Sequence, residues 1–300
     1  MPRFVRPLAT ALLVVFIAGG PVAGAKADAP DTYKLRYKFQ AGDVLRYEVD
    51  HRADIRSTIE KTSQRAQTRS ESVKAWKVID VLPSGDIEFQ NVVERVKMTN
   101  RLPDRAEMVF DSSKDKTPPP GFGDAAEAVG KPLSQVRMKP WGKVVAREVK
   151  HQQPAADPNA PITALLPEEP IVIGDTWDEP QEITVNTDAG GTKAIKTRRH
   201  FTLKSVKSGV AVIDVSQQVL SPVTPAIEAQ LAQRMMKGTI RFDVDRGRIL
   251  SQQMDVDRRI VGFAGPASRM HYQMRMQEKL VEKTAFNEQS VLVKQKTKKK

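Results

Sequence analysis

Seven residues near the start of the chain, Tyr33-Lys34-Leu35-Arg36-Tyr37-Lys38-Phe39, alternate apolar and basic side chains without a break. Successive side chains of an extended chain point to opposite faces, so this run commits its aromatics and Leu35 to a core and its bases to water. The same period of two returns along most of the chain, cut at regular intervals by turn signals. Residues 73–82 and 87–98 flank Pro83-Ser84-Gly85-Asp86 and read as a β-hairpin. Further hairpins are expected around Pro140-Trp141-Gly142, Lys207-Ser208-Gly209 and Asp245-Arg246-Gly247-Arg248, with 270–281 as a closing strand. The polar stretch running on to Gln67 reads as an extended edge or a hairpin arm.

Only two stretches have helical spacing. One is short, 124–129, and stops at Gly130. The other, 225–236, carries Ile227, Leu231 and Met235 on one face, with Pro225 at its start and Gly238 beyond its end. The fold class is therefore mainly β: curved antiparallel sheets in two repeats, each with a short helix packed on one face. The repeats would span 28–150 and 170–285, joined by a proline-rich linker at 151–169. Each half opens on Gly-Asp (Gly42-Asp43, Gly174-Asp175) and turns a hairpin at Ser-Gly (Ser84-Gly85, Ser208-Gly209). Each then has a proline-led helix and a hairpin turning on a flanked glycine (Trp141-Gly142-Lys143, Arg246-Gly247-Arg248). The competing reading is two generic β segments that share common turn chemistry.

Residues 1–27 have the three parts of an export signal: Arg3 and Arg6, an uncharged apolar run over 8–18, and small residues before a cut after Ala25 or Ala27. Gly19-Gly20-Pro21 breaks the run before it reaches the ~20 residues that a membrane anchor needs. The expected location is extracytoplasmic, periplasmic or secreted, with no transmembrane span after cleavage. The chain has no cysteine, which excludes lipid attachment at a Cys, disulfides and thiolate metal sites. Of the formal net charge of +12, three units leave with Arg3, Arg6 and Lys26. Five more sit in a basic tail within 286–300, at Lys294, Lys296, Lys298, Lys299 and Lys300. This tail reads as lacking fixed structure and as a contact for an anionic envelope polymer or lipid surface. It has no interleaved aromatics, so there is no specific nucleic-acid signal.

Motifs for chemistry are scarce. His51, His151, His200 and His271 are far apart and none has metal-ligand spacing. Ser113-Lys114-Asp115-Lys116 matches Ser-x-x-Lys, but it lacks its partner motifs and runs into a proline-rich loop. Asp43, Asp175 and Asp243 adjoin glycine turns, where a carboxylate normally accepts from nearby backbone N–H groups. No catalytic, cofactor or metal residue is assigned. Trp76 alternates with Val78 and belongs to a core, whereas Trp141 and Trp177 adjoin turns and form a candidate ligand face.

The opening Tyr-x-Leu-x-Tyr-x-Phe run with its Gly-Asp, the later Gly174-Asp175-Thr176-Trp177, and the run from Phe242 to Ile249 (Phe-Asp-x-x-x-Gly-Arg-Ile) together resemble a family of secreted bacterial β proteins of unknown function. The layout is also similar to periplasmic half-barrels that carry lipids. The leading functional expectation is a non-enzymatic exported protein with a binding or envelope-structural role. One alternative is a lipid or lipoprotein carrier with an apolar groove beneath the helix at 225–236. Another is a hydrolase or isomerase whose site is assembled by tertiary folding.

Overall fold

The computed structural model describes residues 31–151, 161–187 and 190–281. The expected export signal at 1–27, residues 152–160 of the expected linker and the lysine tail lie outside the described residues.

The first half contributes β1 (Val44–Ile59), β2 (Thr62–Val81), β3 (Ile87–Arg101), β4 (Met108–Asp111), helix α1 (Gly123–Ala128), β5 (Pro132–Met138) and β6 (Val144–Val149). The second half contributes β7 (Thr176–Asn186), β8 (Thr192–Lys207), β9 (Val210–Val219), helix α2 (Pro225–Leu231), β10 (Lys237–Asp243), β11 (Arg248–Val261) and β12 (Arg269–Val281). All twelve strands belong to one antiparallel sheet, in the order β6-β5-β3-β2-β1-β12-β11-β10-β9-β8-β7, with β4 paired to β3. The halves join where β1 pairs with β12, so β1 is central and its polar arm is not an edge. The first half has four strands before its helix and two after it, and the second half has three before and three after. The sheet is not closed; β6 and β7 are its two edges.

Apolar side chains from β2 and β3 share one core cluster with those from β8, β9 and β10. Strands so distant in the sheet can touch only if the sheet wraps around its own concave face. The upper part of that face is filled by Tyr33–Phe39, which does not form the expected sheet strand. It makes one isolated bridge, Tyr33 to Ile171, and crosses the concavity as an extended lead-in. Its alternation nevertheless holds, with Leu35, Tyr37 and Phe39 buried and Lys34 and Lys38 exposed. Turn carbonyls from both halves hold it: Tyr37 N–H donates to Pro140 O at 2.6 Å and Lys38 N–H to Gly247 O at 3.0 Å.

The two Gly-Asp corners are built alike. Gly42 N–H donates to Val78 O and Val78 N–H to Asp43 O; Gly174 and Asp175 make the same pair of bonds with Leu203. Asp43 accepts from Gln40 N–H and Asp175 from Val172 N–H, each at 2.9 Å, and Asp243 accepts from Arg246 N–H at 2.8 Å. These three carboxylates are turn-makers.

Gly142 and Gly247 have positive φ and sit where other segments dock on their turns. A Cβ on Gly247 would lie 2.5 Å from both Arg36 O and Lys38 N, and one on Gly142 would lie 2.5 Å from Ala164 O. Gly174 also has φ of +100° but has open space around it. Gly174→Ala should therefore cost only the left-handed strain, roughly 1–2 kcal/mol. Gly247→Ala should cost more, about 2–4 kcal/mol, because backbone cannot move aside as a flexible side chain would. Urea midpoints of the two variants measure the difference, and equal losses would mean that the lead-in docking is not a strong constraint.

The outer face of the central strands is a charged ladder. Arg52 lies directly between Arg69 and Arg275 across the strands, a repulsive arrangement unless acids intervene. They do: Asp50 bonds Arg52 at 2.6 Å and Arg69 at 3.2 Å, and Asp255 bonds Arg275 at 2.6 Å. The Arg52 guanidinium holds the Asp50 carboxyl below its ordinary value, and Arg65 does the same for Asp54. A carboxyl with a depressed folded-state pKa binds fewer protons folded than unfolded. Its stabilisation is present above the unfolded value near pH 4 and is lost as pH falls through the lower folded value. Stability should decline below about pH 4, and 1 M NaCl should flatten the slope because these pairs are partly exposed. A pH–stability curve indifferent to salt would contradict this.

Candidate functional site

The two helices do different work. α1 covers Val96 and Phe110 at the β3–β4 end, where Phe122 stacks on Phe110 at 6.0 Å. α2 lies on the concave side of the second half. Thr224 caps it by accepting from Ile227 N–H, and Pro225 occupies the first turn, where a missing N–H costs nothing. Ile227, Leu231 and Met235 pack on Val185 and Ile195, as their spacing predicts, while Ala229 and Ala232 face Val256, Ile260 and Tyr272. The helix is shorter than 225–236: it passes into a 3-10 turn at Ala232–Arg234 before Met236 leads into β10.

The lead-in fills the upper concavity and α2 fills the lower part. Between them is an interior cavity of about 270 Å³. Met236, Met254 and Met276 line it together with Val215, Ile249 and Trp76. A charged pair sits among them: Lys74 Nζ lies 2.6 Å from Glu278, whose side chain is 3% exposed. Gln252 Nε2 donates to the same carboxylate oxygen, Glu278 Oε2, at 3.1 Å, and Lys74 lies 6.0 Å from the Tyr47 ring centre. Burial pushes the Tyr47 phenol well above its ordinary value, with the nearby Glu278 charge adding to the effect. Across the cavity Arg199 pairs with Glu179, donates to Thr163 O at 2.9 Å and lies 5.3 Å over Phe201. Gln217 donates to Thr197 and Gln181. The wall is thus apolar with a few fixed polar groups, the composition that binds small molecules. An ammonium has three donors and a carboxylate several acceptor positions, so Lys74 and Glu278 retain capacity for a further polar group.

The sequence led to the expectation of an apolar groove beneath the helix at 225–236; the cavity instead meets that stretch only at Arg234 and Met236, and its polar residues were not anticipated. The available signal was register. Lys74 precedes the buried Trp76 and Val78 by even steps, and Glu278 continues the inward series Tyr272, Met274, Met276. A charge at an inward position of a strand marks either a buried pair or a ligand contact.

Trp141 and Trp177 come from different halves, yet both line a second, open groove of about 780 Å³ along the seam between β6 and β7. Neither indole offers two free faces. Trp177 stacks on Phe201 at 5.4 Å and donates its N–H to Leu165 O at 2.8 Å, and Arg36 lies 5.6 Å over Trp141. The Trp141 Nε1 atom is buried and has no hydrogen-bond acceptor. Trp76 is core, 2% exposed and stacked on Phe89. The five tail lysines lie outside the described residues.

The histidines are not part of the interior cavity. His200 bonds Asp178 and His271 bonds Asp257, each at 2.7 Å, on the outer face. Among the described residues no helix is long and apolar enough to cross a membrane.

No protein-family model matches the chain, and a search of curated protein sequences finds no match. Among solved structures, a lipovitellin structure described for its lipid–protein interactions aligns with a TM-score of 0.43 and 13% identity. That alignment covers 81% of this chain, which spans only 25% of the lipovitellin chain. DynF, from the dynemicin biosynthesis pathway of Micromonospora chersina, aligns over 92% of each chain with a TM-score of 0.21 and 8% identity. Neither likeness is close enough to carry an argument about function.

Removing one partner of a buried pair strands the other charge. Lys74→Met should destabilise the protein by about 2–4 kcal/mol, whereas Lys74→Met with Glu278→Leu should recover most of the loss. Chemical denaturation of the single and double variants measures this, and an additive double loss would contradict the coupling.

Proposed function

We propose that this is an exported, non-enzymatic binding protein that receives a small amphipathic molecule in the cavity beside the 3-10 turn that follows α2. The observation that supports this most directly is a single chamber in which Met236, Met254 and Met276 adjoin a buried Lys74–Glu278 pair. Methionine adapts to irregular apolar guests, which makes it useful at a surface that must mould itself to a ligand. A buried ion pair adds little stability over a packed apolar pair, so its presence fits a role in holding a polar group. The cavity is close to the lower end of small-molecule pockets, which run from roughly 300 to 1,000 Å³. It therefore suits one alkyl chain or a small ring system.

Export rests on the signal-like segment at 1–27, and membership of the secreted β family rests on the turn and strand runs described above. The alike Gly-Asp corners support descent of the two halves from one duplicated unit.

The test uses the full chain and N-phenyl-1-naphthylamine, a neutral apolar fluorophore. Wild-type protein should bind it saturably, and Met254→Trp should weaken binding at least tenfold by filling the chamber. Absence of saturable binding, or unchanged affinity in a folded Met254→Trp variant, would reject this reading.

A further inference from the structure

A polar rung and an apolar rung follow one another on the inner face of β11 and β12. Glu278 stands directly across from Gln252, and Met276 directly across from Met254. Residues two apart on a strand share a face, so the rungs are neighbours, and all four side chains line the interior cavity. A guest on this wall meets hydrogen-bonding groups at one end and methionine along the next stretch. Only one oxygen of the Glu278 carboxylate is engaged. Lys74 Nζ lies 2.6 Å from Oε2, and Gln252 Nε2 donates to that same oxygen at 3.1 Å. Among the described residues no donor bonds Oε1, although the side chain is only 3% exposed.

Oε1 is therefore a spare acceptor in an apolar chamber, where an arriving O–H is favoured because a buried charged oxygen gains most from a donor. An ammonium has three donors, so Lys74 can also donate to the oxygen of that hydroxyl. Charge narrows the choice of head group further. Lys74, Arg199 and Arg234 line the cavity together with Glu278 and Glu182, and Glu179 is bonded to Arg199. Among the described residues, three cations thus face three carboxylates. A carboxylate or ammonium head would upset this balance and carry its own charge out of water. A hydroxyl brings no charge and finds both an acceptor and a donor.

We infer that the interior cavity selects an uncharged single-chain alcohol. Its hydroxyl donates to Glu278 Oε1 and accepts from Lys74, and its alkyl chain lies along Met254 and Met276. An ether can accept from Lys74 but has nothing to donate, so the carboxylate separates the two. This inference rests on the interior cavity being a ligand site.

The experiment compares four probes on the full chain at neutral pH by displacement of N-phenyl-1-naphthylamine: 1-octanol, 1-methoxyheptane, octanoate and octylammonium. The alcohol and the ether have equal numbers of heavy atoms and differ in the O–H. 1-Octanol should bind tightest, about tenfold ahead of the ether, with both ions weaker than the alcohol. In the Lys74→Met, Glu278→Leu double variant, with folding checked by denaturation, alcohol and ether should bind alike. The alcohol-to-ether ratio in the wild-type protein decides independently of whether that variant folds. If the fluorophore binds but the alcohol and ether displace it equally, or an ion binds tighter than the alcohol, the selection is wrong and the cavity is a site of another class. A preference that persists in the folded double variant would equally overturn the role of Glu278. If the fluorophore itself does not bind, the underlying reading fails with it.

Discussion

The fold depends on how Tyr37 ties its parts together. Its ring lies edge-on to Phe242 of β10 at 5.5 Å and 6.5 Å from Trp76 of β2, two strands far apart in the sheet. Its hydroxyl holds the strap at Thr163 and Ala164, and its backbone N–H takes the Pro140 carbonyl. A sheet of twelve strands that wraps without closing has no hydrogen bonds across its open side. Something inside must hold the curve, and buried aromatic surface, worth about 25 cal/mol per Å² of apolar area, is the strongest means available. Burial also pushes the Tyr37 phenol above its ordinary value, so it stays protonated and can keep donating to the strap.

The cavity follows from the same arrangement. The concave face is longer than either of its fillings: the lead-in covers one end, and α2 with its 3-10 turn covers the other. The gap falls where Lys74, Glu278 and Gln252 point inward, and those groups satisfy one another without needing to be covered. Capping the gap with more apolar chain would bury the pair further and raise its desolvation cost. Space and charge therefore coincide for a physical reason, and that coincidence is what supports the proposed binding role of the chamber.

The seam has the opposite character. Edge strands expose unpaired backbone groups, and proteins protect them with charges, proline or a covering segment. Here β7 carries Pro180 with Asp178, Glu179 and Glu182, and the strap covers the inner approach, while β6 exposes Val144, Val145 and Val149. Trp141 and Trp177 flank this seam from opposite halves, so the candidate ligand face read from the sequence is one location, although each indole already has a neighbour on one face. Their proximity was legible only in the weak sense that both adjoin turns. That the turns converge depends on the curvature of the whole sheet.

Alternation of side chains, together with Gly and Pro punctuation, determined which residues face inward, where the hairpins turn and where the two helices lie, because these are local properties of an extended or helical backbone. Even the lead-in, which forms no sheet strand, buries the side chains that its alternation assigned to a core. The sequence could not determine that β1 would be central and not an edge, or that two halves would fuse through β1 and β12 into one continuous sheet. Nor could it show that Lys74 and Glu278, separated by most of the chain, would meet at 2.6 Å. Strand pairing at long sequence separation is decided by which curved surface can be filled, and that depends on all the strands at once.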